Sequence, residues 1–261
     1  MRIAGRLHVV GGGVAGLTAA LAAARAGWPV TLHEAASALG GRCRPVGDEP
    51  EDEHDNGTHV LLGANRAALS FLDAIGARAG WVEPEPQGLP MVDLADGSVR
   101  RVGLSPWSWL DPLRRPPGLN LRVLLRLGRL GLPGVDRPVA ETFGAGSFTR
   151  AMVEPLTVAA LNTPVAEAST RRLVTALRRL ARPGAGRLFV ARRGLGPDLI
   201  RPAVDALAAA GVVVRCRSRL RALEAADGRA ERLVFADAEV PLGASDLAVL
   251  ALPPHALAKL L

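Results

Sequence analysis

The stretch LHVVGGGVAGLTAALAAARAGWPVTLHEAASALGGR, from Leu7 to Arg42, decides the fold of this chain. Three of its first four residues are apolar and two are β-branched, as is typical of a buried parallel strand. A run of glycines follows, and the Ala- and Leu-rich stretch from Val14 to about Ala26 predicts a helix that ends at Gly27. A second strand is predicted at 29–33. This order of strand, glycine turn, helix and strand predicts a dinucleotide-binding βαβ unit.

The glycines have the spacing G-x-G-x-x-G, which suits a turn that holds a pyrophosphate. Gly11 permits the tight turn, Gly13 lets the phosphates approach the backbone, and Gly16 allows the helix to pack closely on the strand. The helix begins at Val14 and Ala15, and its first N–H groups are expected to point at the ligand.

Glu34 lies 23 residues after Gly11, where a ribose-binding carboxylate is expected, and Ala35 is grouped with it as a cofactor contact. A carboxylate at this place accepts hydrogen bonds from ribose hydroxyls and repels a 2′-phosphate, which disfavours NADP. A second glycine pair, Gly40–Gly41, is expected to bring the backbone close to the cofactor. Arg42 then places a cation beside the bound molecule.

The pattern GGGVAGL…E…GGR resembles the flavin-dependent amine oxidase and phytoene desaturase superfamily, whose Gly-Gly-Arg sequel is missing from simple NAD-binding proteins. Three further stretches are similar to the hydroxysqualene dehydroxylase family: DNGTHVLLG at 55–63, EPLTVAALNTP at 154–164 and LALPPHAL at 250–257. The resemblance implies FAD as the cofactor. It also implies an α/β fold, in which a Rossmann-type FAD-binding domain with a parallel sheet carries an inserted α+β substrate domain.

By the same resemblance, residues 1–63 and 195–261 form the FAD-binding domain, and residues 64–194 form the substrate domain. Thr58 and His59 are expected near the cofactor, and the backbone at Leu220 is expected to meet the adenine. Three interpretations of His59 stay open: a packed core residue, a contact to cofactor or substrate, and a general acid. The sequence indicates no other candidate for a catalytic residue.

The resemblance implies an FAD-dependent oxidoreductase of squalene and hopanoid metabolism, with an apolar isoprenoid as substrate. Reduced FAD would deliver hydride to an allylic carbon while hydroxide leaves as water, converting hydroxysqualene to squalene. A desaturase or amine oxidase-like flavoenzyme, with hydride moving from substrate to FAD, is one alternative. Family members continue beyond the point that matches Leu261, so a C-terminally incomplete, non-catalytic flavin-binding module that needs a complementing C-terminal chain is another. An NAD-binding module is the third.

The composition argues against several other classes of function. The net charge is +7 and the calculated pI is about 11.0, but aromatic residues are 3% of the chain and tyrosine is absent, so no base-stacking surface for nucleic acid is expected. The arginine content is interpreted as a compositional bias of the whole chain as much as a functional basic patch. Cys43 and Cys216 are isolated, so neither a disulfide framework nor a metal site is expected. With no signal peptide and no run of about 18 apolar residues, a cytoplasmic location is expected.

A helix with arginines along one face is predicted from Leu119 onward. The arginines of that face are Arg122, Arg126 and Arg129. Two interpretations stay open: a core-packed helix with solvated arginines, or a basic amphipathic helix on the inner face of an anionic membrane, with Trp107 and Trp109 at the interface. A polyprenyl substrate, which dissolves in lipid, would suit the second.

Further elements are predicted along the chain. A helix is expected at 65–76, a hairpin with an Asp-Gly turn at 91–102, and a helical segment at 141–181 that is broken at Pro155 and at 162–164. Apolar side chains of the last segment either line a hydrophobic tunnel or pack: Met152, Leu156, Val158, Leu161 and Leu173. A strand at 187–191, a helix at 196–210 and buried strands at 212–215 and 246–252 complete the prediction.

Overall fold

The chain forms two compact units, each with its own core. The computed structural model describes residues 4–47, 54–57, 59–92, 94, 96–129 and 136–260. Unit 1 comprises residues 1–59, 67–82 and 191–261, and unit 2 comprises residues 60–66 and 83–190, so unit 2 is inserted in the sequence of unit 1. The domain limits predicted from the sequence stay a prediction.

The elements follow one another along the described chain. The strands are β1 (Leu7–Val10), β2 (Val30–His33), β3 (Pro45–Val46), β4 (His54–Asp55), β5 (Val60–Leu62), β6 (Trp81–Val82), β7 (Leu89–Val92), β8 (Val99–Val102), β9 (Leu188–Ala191), β10 (Val213–Arg215), β11 (Leu220–Ala226), β12 (Arg229–Phe235), β13 (Glu239–Pro241) and β14 (Leu247–Leu250). The α-helices are α1 (Val14–Arg25), α2 (Arg66–Ala74), α3 (Leu121–Arg129), α4 (Val139–Phe143), α5 (Glu154–Leu161), α6 (Thr170–Arg178), α7 (Arg201–Ala209) and α8 (Pro254–Leu257).

Unit 1 is built on a parallel sheet with the strand order β10-β2-β1-β14. Helix α1 lies on β1, β2 and β14 and packs against α7. An antiparallel sheet, β11-β12-β13, supplies Leu233 and Phe235, which pack with Val10 of β1. Because side chains alternate across a strand, Val10 and the helix-facing Val9 belong to opposite faces, and the unit has three layers. The predicted Rossmann-type domain with a parallel sheet is confirmed.

The outer strands of this sheet are more exposed than the sequence predicts. Strands β10 and β14 were expected to be buried, but Val213 and Val214 of β10 are exposed, and so are Leu247 and Val249 of β14. Both strands lie at edges of the sheet, where a strand has a hydrogen-bonded neighbour on one side only. Apolar runs of this length do not distinguish a central strand from an edge strand.

Two histidines are buried between the two sheets of unit 1. The Nδ1 atom of His8 and the Nε2 atom of His33 are 3.3 Å apart. The Nδ1 atom of His33 lies 3.3 Å from the hydroxyl of Ser218, and its ring stacks on Phe235 with ring centres 4.2 Å apart. Burial lowers the pKa of both histidines, and for His33, where the charge of His8 adds to the effect, the pKa is about 4. Both rings are therefore neutral at pH 7.

A buried carboxylate fixes the loop that leads into α7. The carboxylate of Asp198 accepts hydrogen bonds from the backbone N–H and the guanidinium of Arg193. The indole N–H of Trp81 donates to the carbonyl oxygen of Asp198 at 3.0 Å. The carboxylate of Asp55 accepts the N–H of Leu195 at 2.7 Å. Asp55 thus holds the 193–198 loop in place through this hydrogen bond.

Unit 2 combines short antiparallel pairs with helices. Strand β5 pairs with β9, and β7 pairs with β8 through the predicted Asp-Gly turn, where Ser98 donates its N–H to Asp96 and Gly97 has a φ of +70°. Helices α4, α5 and α6 contribute to one core. Its buried side chains include Val102, Val139, Phe143, Met152 and Leu173. The predicted hairpin is confirmed.

The breaks in the helical segment of unit 2 differ from the prediction. Helix α4 ends at Phe143, and Gly144 follows with a φ of +67°. The predicted break at Pro155 is wrong: the chain is helical from residue 147 to residue 161, with a π-helical turn at Thr149–Val153, and Pro155 lies in the first turn of α5 directly after it. The predicted break at 162–164 is confirmed, since Asn162 ends α5 in a left-handed conformation.

The buried histidine pair predicts that unit 1 loses stability in acid. An unfolded histidine titrates near pH 6.5, whereas His33 stays neutral in the folded chain down to about pH 4. Between these values the unfolded chain binds more protons, so the free energy of unfolding falls as the pH is lowered, by up to about 3 kcal/mol from His33. Above pH 6.5 this contribution is constant.

Denaturant unfolding at a series of pH values, for the wild type and for His33→Gln, measures this contribution. The variant keeps a polar side chain that does not titrate, so its free energy of unfolding is expected to change less between pH 6.5 and pH 4. His255→Gln, which replaces an exposed histidine of the same unit, is the control and keeps the wild-type slope. An unchanged slope in His33→Gln would contradict the prediction.

Candidate functional site

Two positions of the first glycine motif have no room for a side chain in the folded protein. Gly11 has a φ of +108°, and a Cβ atom there would collide with the carbonyl oxygen of Ala251. A Cβ atom on Gly16 would collide with the carbonyl oxygen of Gly11. The N–H of Gly11 donates to the carbonyl of His33 at 2.8 Å, which joins the turn to the end of β2. The turn is therefore fixed by packing before any ligand binds.

Gly13 differs, because a Cβ atom there would meet nothing within 4 Å. It precedes α1 with a φ of −73°, a value that any residue adopts, so its own conformation does not require glycine. The half-buried Val14 and the exposed Ala15 begin the helix, and its first turn contains no acidic residue. Helix N–H groups and open space thus meet at one point, the arrangement that accommodates a phosphate.

The second glycine pair packs directly on the first turn. The N–H of Gly40 donates to the carbonyl of Gly12 at 2.8 Å, and Gly40 forms a parallel bridge with Gly13. A Cβ atom on Gly41 would lie 3.0 Å from the Cα atom of Gly13, and both Gly40 and Gly41 have positive φ. Arg42 follows in a short 3₁₀ turn and is exposed. The structure therefore brings together the two motifs that the sequence placed at one cofactor.

The carboxylate of Glu34 faces the glycine turn and is hydrogen-bonded to it. It accepts the N–H of Gly12 and the N–H of Ala36, each at 2.7 Å. An ionised carboxylate has about four lone-pair sites, so both oxygens retain capacity for ribose hydroxyls. A Cβ atom on Gly12 would collide with Leu39 and lie 3.0 Å from Glu34, which explains a glycine to which the sequence assigned no role. Ala35 is exposed.

The segment before β11 lies against the same carboxylate-bearing loop. The N–H of Ser218 donates to the carbonyl of Glu34, and the N–H of Arg217 donates to the carbonyl of Ala36, both at 2.8 Å. Leu220 begins β11 two residues later and is half-buried. Its backbone contact with adenine stays a prediction.

The structure describes every residue of the DNGTH stretch except Thr58. Thr58 lies outside the described residues, so its predicted contact has no structural outcome. His59 is exposed, and its Nδ1 atom is 2.6 Å from the carbonyl oxygen of Gly57. This exposure contradicts the packed-core interpretation of His59. A cofactor contact or an acid role for His59 stays a prediction.

Unit 2 contains an apolar cavity of about 360 Å³. Among the described residues that line it, Arg178 is the only charged one. Three of the side chains predicted to line a tunnel or to pack do line this cavity: Met152, Leu156 and Leu173. Leu161 packs against the core instead, and Val158 is exposed. The cavity suits the hydrocarbon part of a ligand.

Neither a metal centre nor a reactive thiol stands out in the part of the chain that the structure describes. Its histidines, cysteines and carboxylates form no cluster of three that could hold a metal ion. Burial raises the pKa of both thiols, Cys43 and Cys216, which keeps them protonated. None of the described helices has the length and apolar character to cross a bilayer.

Known proteins resemble this chain in its dinucleotide-binding region and along nearly its whole length. A family model described as an NAD(P)-binding Rossmann-like domain matches residues 9–75. Curated relatives from Sinorhizobium fredii and Rhodopseudomonas palustris, both named hydroxysqualene dehydroxylase, are 35% and 38% identical to this chain, covering 98% of it and 63% of each relative. A relative of the same name from Zymomonas mobilis is 32% identical over 94% of the chain and 61% of its own length. The chain thus spans a little under two thirds of the curated relatives that it matches.

Solved structures show the same fold at low sequence identity. A protein from Pyrococcus furiosus has a TM-score of 0.72 at 19% identity, and an oxidoreductase from Methanosarcina mazei has a TM-score of 0.68 at 14% identity. A putrescine oxidase variant has a TM-score of 0.67 at 17% identity. Each comparison covers 98% of this chain and between 59% and 61% of the other. The resemblance stated from the sequence is confirmed, and the fold with it.

The contrast between Gly13 and Gly16 predicts two different outcomes for the same substitution. Gly13→Val places a side chain in open space, so we expect an intact fold and a loss of affinity for FAD of at least about tenfold, or about 1.4 kcal/mol. Gly16→Val places a side chain against the carbonyl of Gly11, so we expect a loss of stability of about 3 kcal/mol.

Thermal unfolding and titration with FAD, followed by flavin fluorescence, separate the two effects. Gly128→Val, at a glycine of unit 2 where a Cβ atom also meets nothing within 4 Å, is the control for FAD binding and is expected to match the wild type. Full FAD affinity in Gly13→Val would show that the phosphates do not approach this glycine.

Proposed function

Because the chain is homologous to the hydroxysqualene dehydroxylases over 98% of its own length and about 63% of theirs, we propose that it is an FAD-dependent oxidoreductase acting on a squalene-type isoprenoid. The reaction is the reductive removal of the hydroxyl group of hydroxysqualene, which gives squalene and water. The observation that carries the proposal is this similarity to enzymes of one name along nearly the whole chain.

FAD fits the dinucleotide site of unit 1. The open space at Gly13 and the start of α1 would accommodate the pyrophosphate, and the carboxylate of Glu34, which accepts the N–H of Gly12, would accept hydrogen bonds from the ribose hydroxyls. Its negative charge disfavours a 2′-phosphate at the same place. The exposed Arg42, which follows the glycine pair packed on the first turn, is available to the phosphates or the flavin side of the cofactor. A reduced flavin bound at this site would supply the hydride that replaces the hydroxyl group.

The residues of this chain hold and shield the reacting molecules. Backbone groups of the glycine turns orient the cofactor without side chains that could move, and the apolar cavity of unit 2 binds the isoprenoid and excludes water from it. A proton is needed for the departing hydroxide, and His59 is the candidate donor that the sequence offers. The substrate and the activity belong to this proposal, since the chain spans only part of the length of the relatives that bear the name.

The proposal is tested by loading the purified chain with FAD and recording its visible spectrum. Under anaerobic conditions a reductant and hydroxysqualene are then added, and the products are analysed by mass spectrometry. Bound flavin together with squalene is the expected result. In a parallel sample without reductant, formation of a more unsaturated isoprenoid together with reduction of the bound flavin would instead indicate a desaturase. Bound flavin without any product in either sample would indicate a flavin-binding module. Absence of bound flavin after loading would show that FAD is not the cofactor of this chain.

A pair of substitutions on α5 tests whether the cavity binds the isoprenoid. Leu156→Trp fills the cavity from one wall, so we expect the KM for hydroxysqualene to rise by at least about tenfold while FAD binding is unchanged. Val158→Trp, on the exposed side of the same helix, is the matched control and is expected to keep the wild-type KM. Equal effects of the two substitutions on the KM would show that the cavity does not bind the isoprenoid.

A further inference from the structure

The two units carry very different net charges. Unit 1 contains 16 basic and 16 acidic side chains, whereas unit 2 contains 16 basic and 9 acidic side chains. The whole net charge of +7 therefore belongs to unit 2. The arginines themselves are spread over both units, 15 in unit 1 and 16 in unit 2, so the difference in net charge arises because unit 2 has seven fewer acidic side chains.

Within unit 2 the positive charge is concentrated in two segments, 104–129 and 170–182. Together they contain ten arginines and a single aspartate, Asp111. Both segments line the apolar cavity, the first through residues such as Trp109 and Leu124 and the second through residues such as Leu177. They also meet directly, because the indole N–H of Trp107 donates to the carbonyl of Ala181 at 2.7 Å. The excess of positive charge therefore follows the walls of an apolar cavity.

The same walls expose leucine side chains. Leu121 and Leu125 of α3 are 71% and 57% exposed, and Leu113, in the turn before the helix, is 85% exposed. Val123 and Leu127 on the same helix pack against the core of unit 2, so the apolar face of α3 is wider than the core needs. At 100° per residue, the exposed Arg122 lies beside the exposed leucines. This is the pattern of a helix that lies in the interface of a membrane.

We propose that this surface of unit 2 docks on an anionic lipid bilayer and that the cavity beside it takes up its apolar ligand from the bilayer. The docking surface is defined by Trp107, Leu113, Leu121 and Leu125 with Arg122 and Arg182. Its leucines enter the interface between headgroups and acyl chains, while the arginines bind lipid phosphates. The identity of the ligand rests on the proposed function, whereas the docking itself does not.

Other occupants fit this surface less well. The phosphates of a nucleic acid would pair with the arginines but would leave the leucine side chains in water. A second copy of the chain would bring another unit with a charge of +7 against the same arginines, and like charges at an interface are unfavourable. An anionic bilayer provides a partner for both kinds of side chain.

Sedimentation with lipid vesicles tests the docking without cofactor or substrate. We expect the chain to bind vesicles that contain about 30% phosphatidylglycerol and to bind pure phosphatidylcholine vesicles much more weakly. Raising the salt from about 0.1 M to about 0.5 M is expected to weaken the binding. Equal binding to neutral and anionic vesicles, or no binding to either, would overturn the proposal.

Paired variants then assign the contact to this surface. Arg122→Gln with Arg182→Gln is expected to weaken binding by about 25-fold, at about fivefold for each arginine. Leu121→Ser with Leu125→Ser is expected to weaken binding while leaving its salt dependence in place. Arg192→Gln with Arg221→Gln removes two exposed arginines of unit 1 and is expected to change nothing. Thermal unfolding shows that each variant is folded.

Two outcomes would assign the surface to something else. If the unit 1 control weakens binding as much as the unit 2 variant, the attraction is a property of net charge and not of this surface. If analytical ultracentrifugation shows a dimer that Leu121→Ser with Leu125→Ser dissociates, the surface is an interface between copies. Because vesicle binding requires neither FAD nor hydroxysqualene, its failure would leave the proposed function intact, and a chain without activity would leave the docking intact.

Discussion

The close approach of two glycine-containing turns is the constraint on which the site depends. The backbone of Gly12 and Gly13 lies directly against Gly40 and Gly41, with one hydrogen bond between Gly40 and Gly12. A side chain on Gly41 would push the turns apart, since its Cβ atom would already lie 3.0 Å from the Cα atom of Gly13. The carboxylate of Glu34 completes the arrangement by accepting the N–H of Gly12. Protein groups alone thus fix the cradle, and only the position of Gly13 is left open to a ligand.

The parallel sheet brings these parts together. Strands β1 and β2 run side by side, so their carboxyl ends deliver the glycine turn and Glu34 to the same edge of the sheet. The carbonyl of His33 accepts the N–H of Gly11, and the carbonyl of Glu34 accepts the N–H of Ser218. The buried histidine pair lies just behind these bonds, so the protonation that destabilises the sheet acts close to the cofactor site.

The sequence predicted the parts of the site that depend on local spacing and missed those that depend on distant contacts. The glycine pattern predicts the tight turn at Gly11 and the close packing at Gly16, and the acidic residue after β2 lies beside this turn, because these features follow from the geometry of a single βαβ unit; ribose binding by Glu34 stays a prediction. The clamp of Asp55 on Leu195 joins residues 140 positions apart, and no local pattern indicates it. The exposure of β10 and β14 likewise depends on the order of strands in the sheet, which apolar runs do not encode. Pro155 was read as a break because the turn that precedes it was not foreseen.

The net charge differs between the two units. Unit 1 has equal numbers of basic and acidic side chains, and its candidate phosphate site is built from backbone N–H groups and a helix terminus rather than from a cluster of arginines. The positive charge of unit 2 therefore does not arise from a need to neutralise the cofactor. Apart from Arg178, the described residues that line the apolar cavity are uncharged, as expected because a charge buried without a partner is costly. Arginines placed around such a cavity act on something outside it, and exposed leucines among them restrict that partner to one with both anionic and apolar parts.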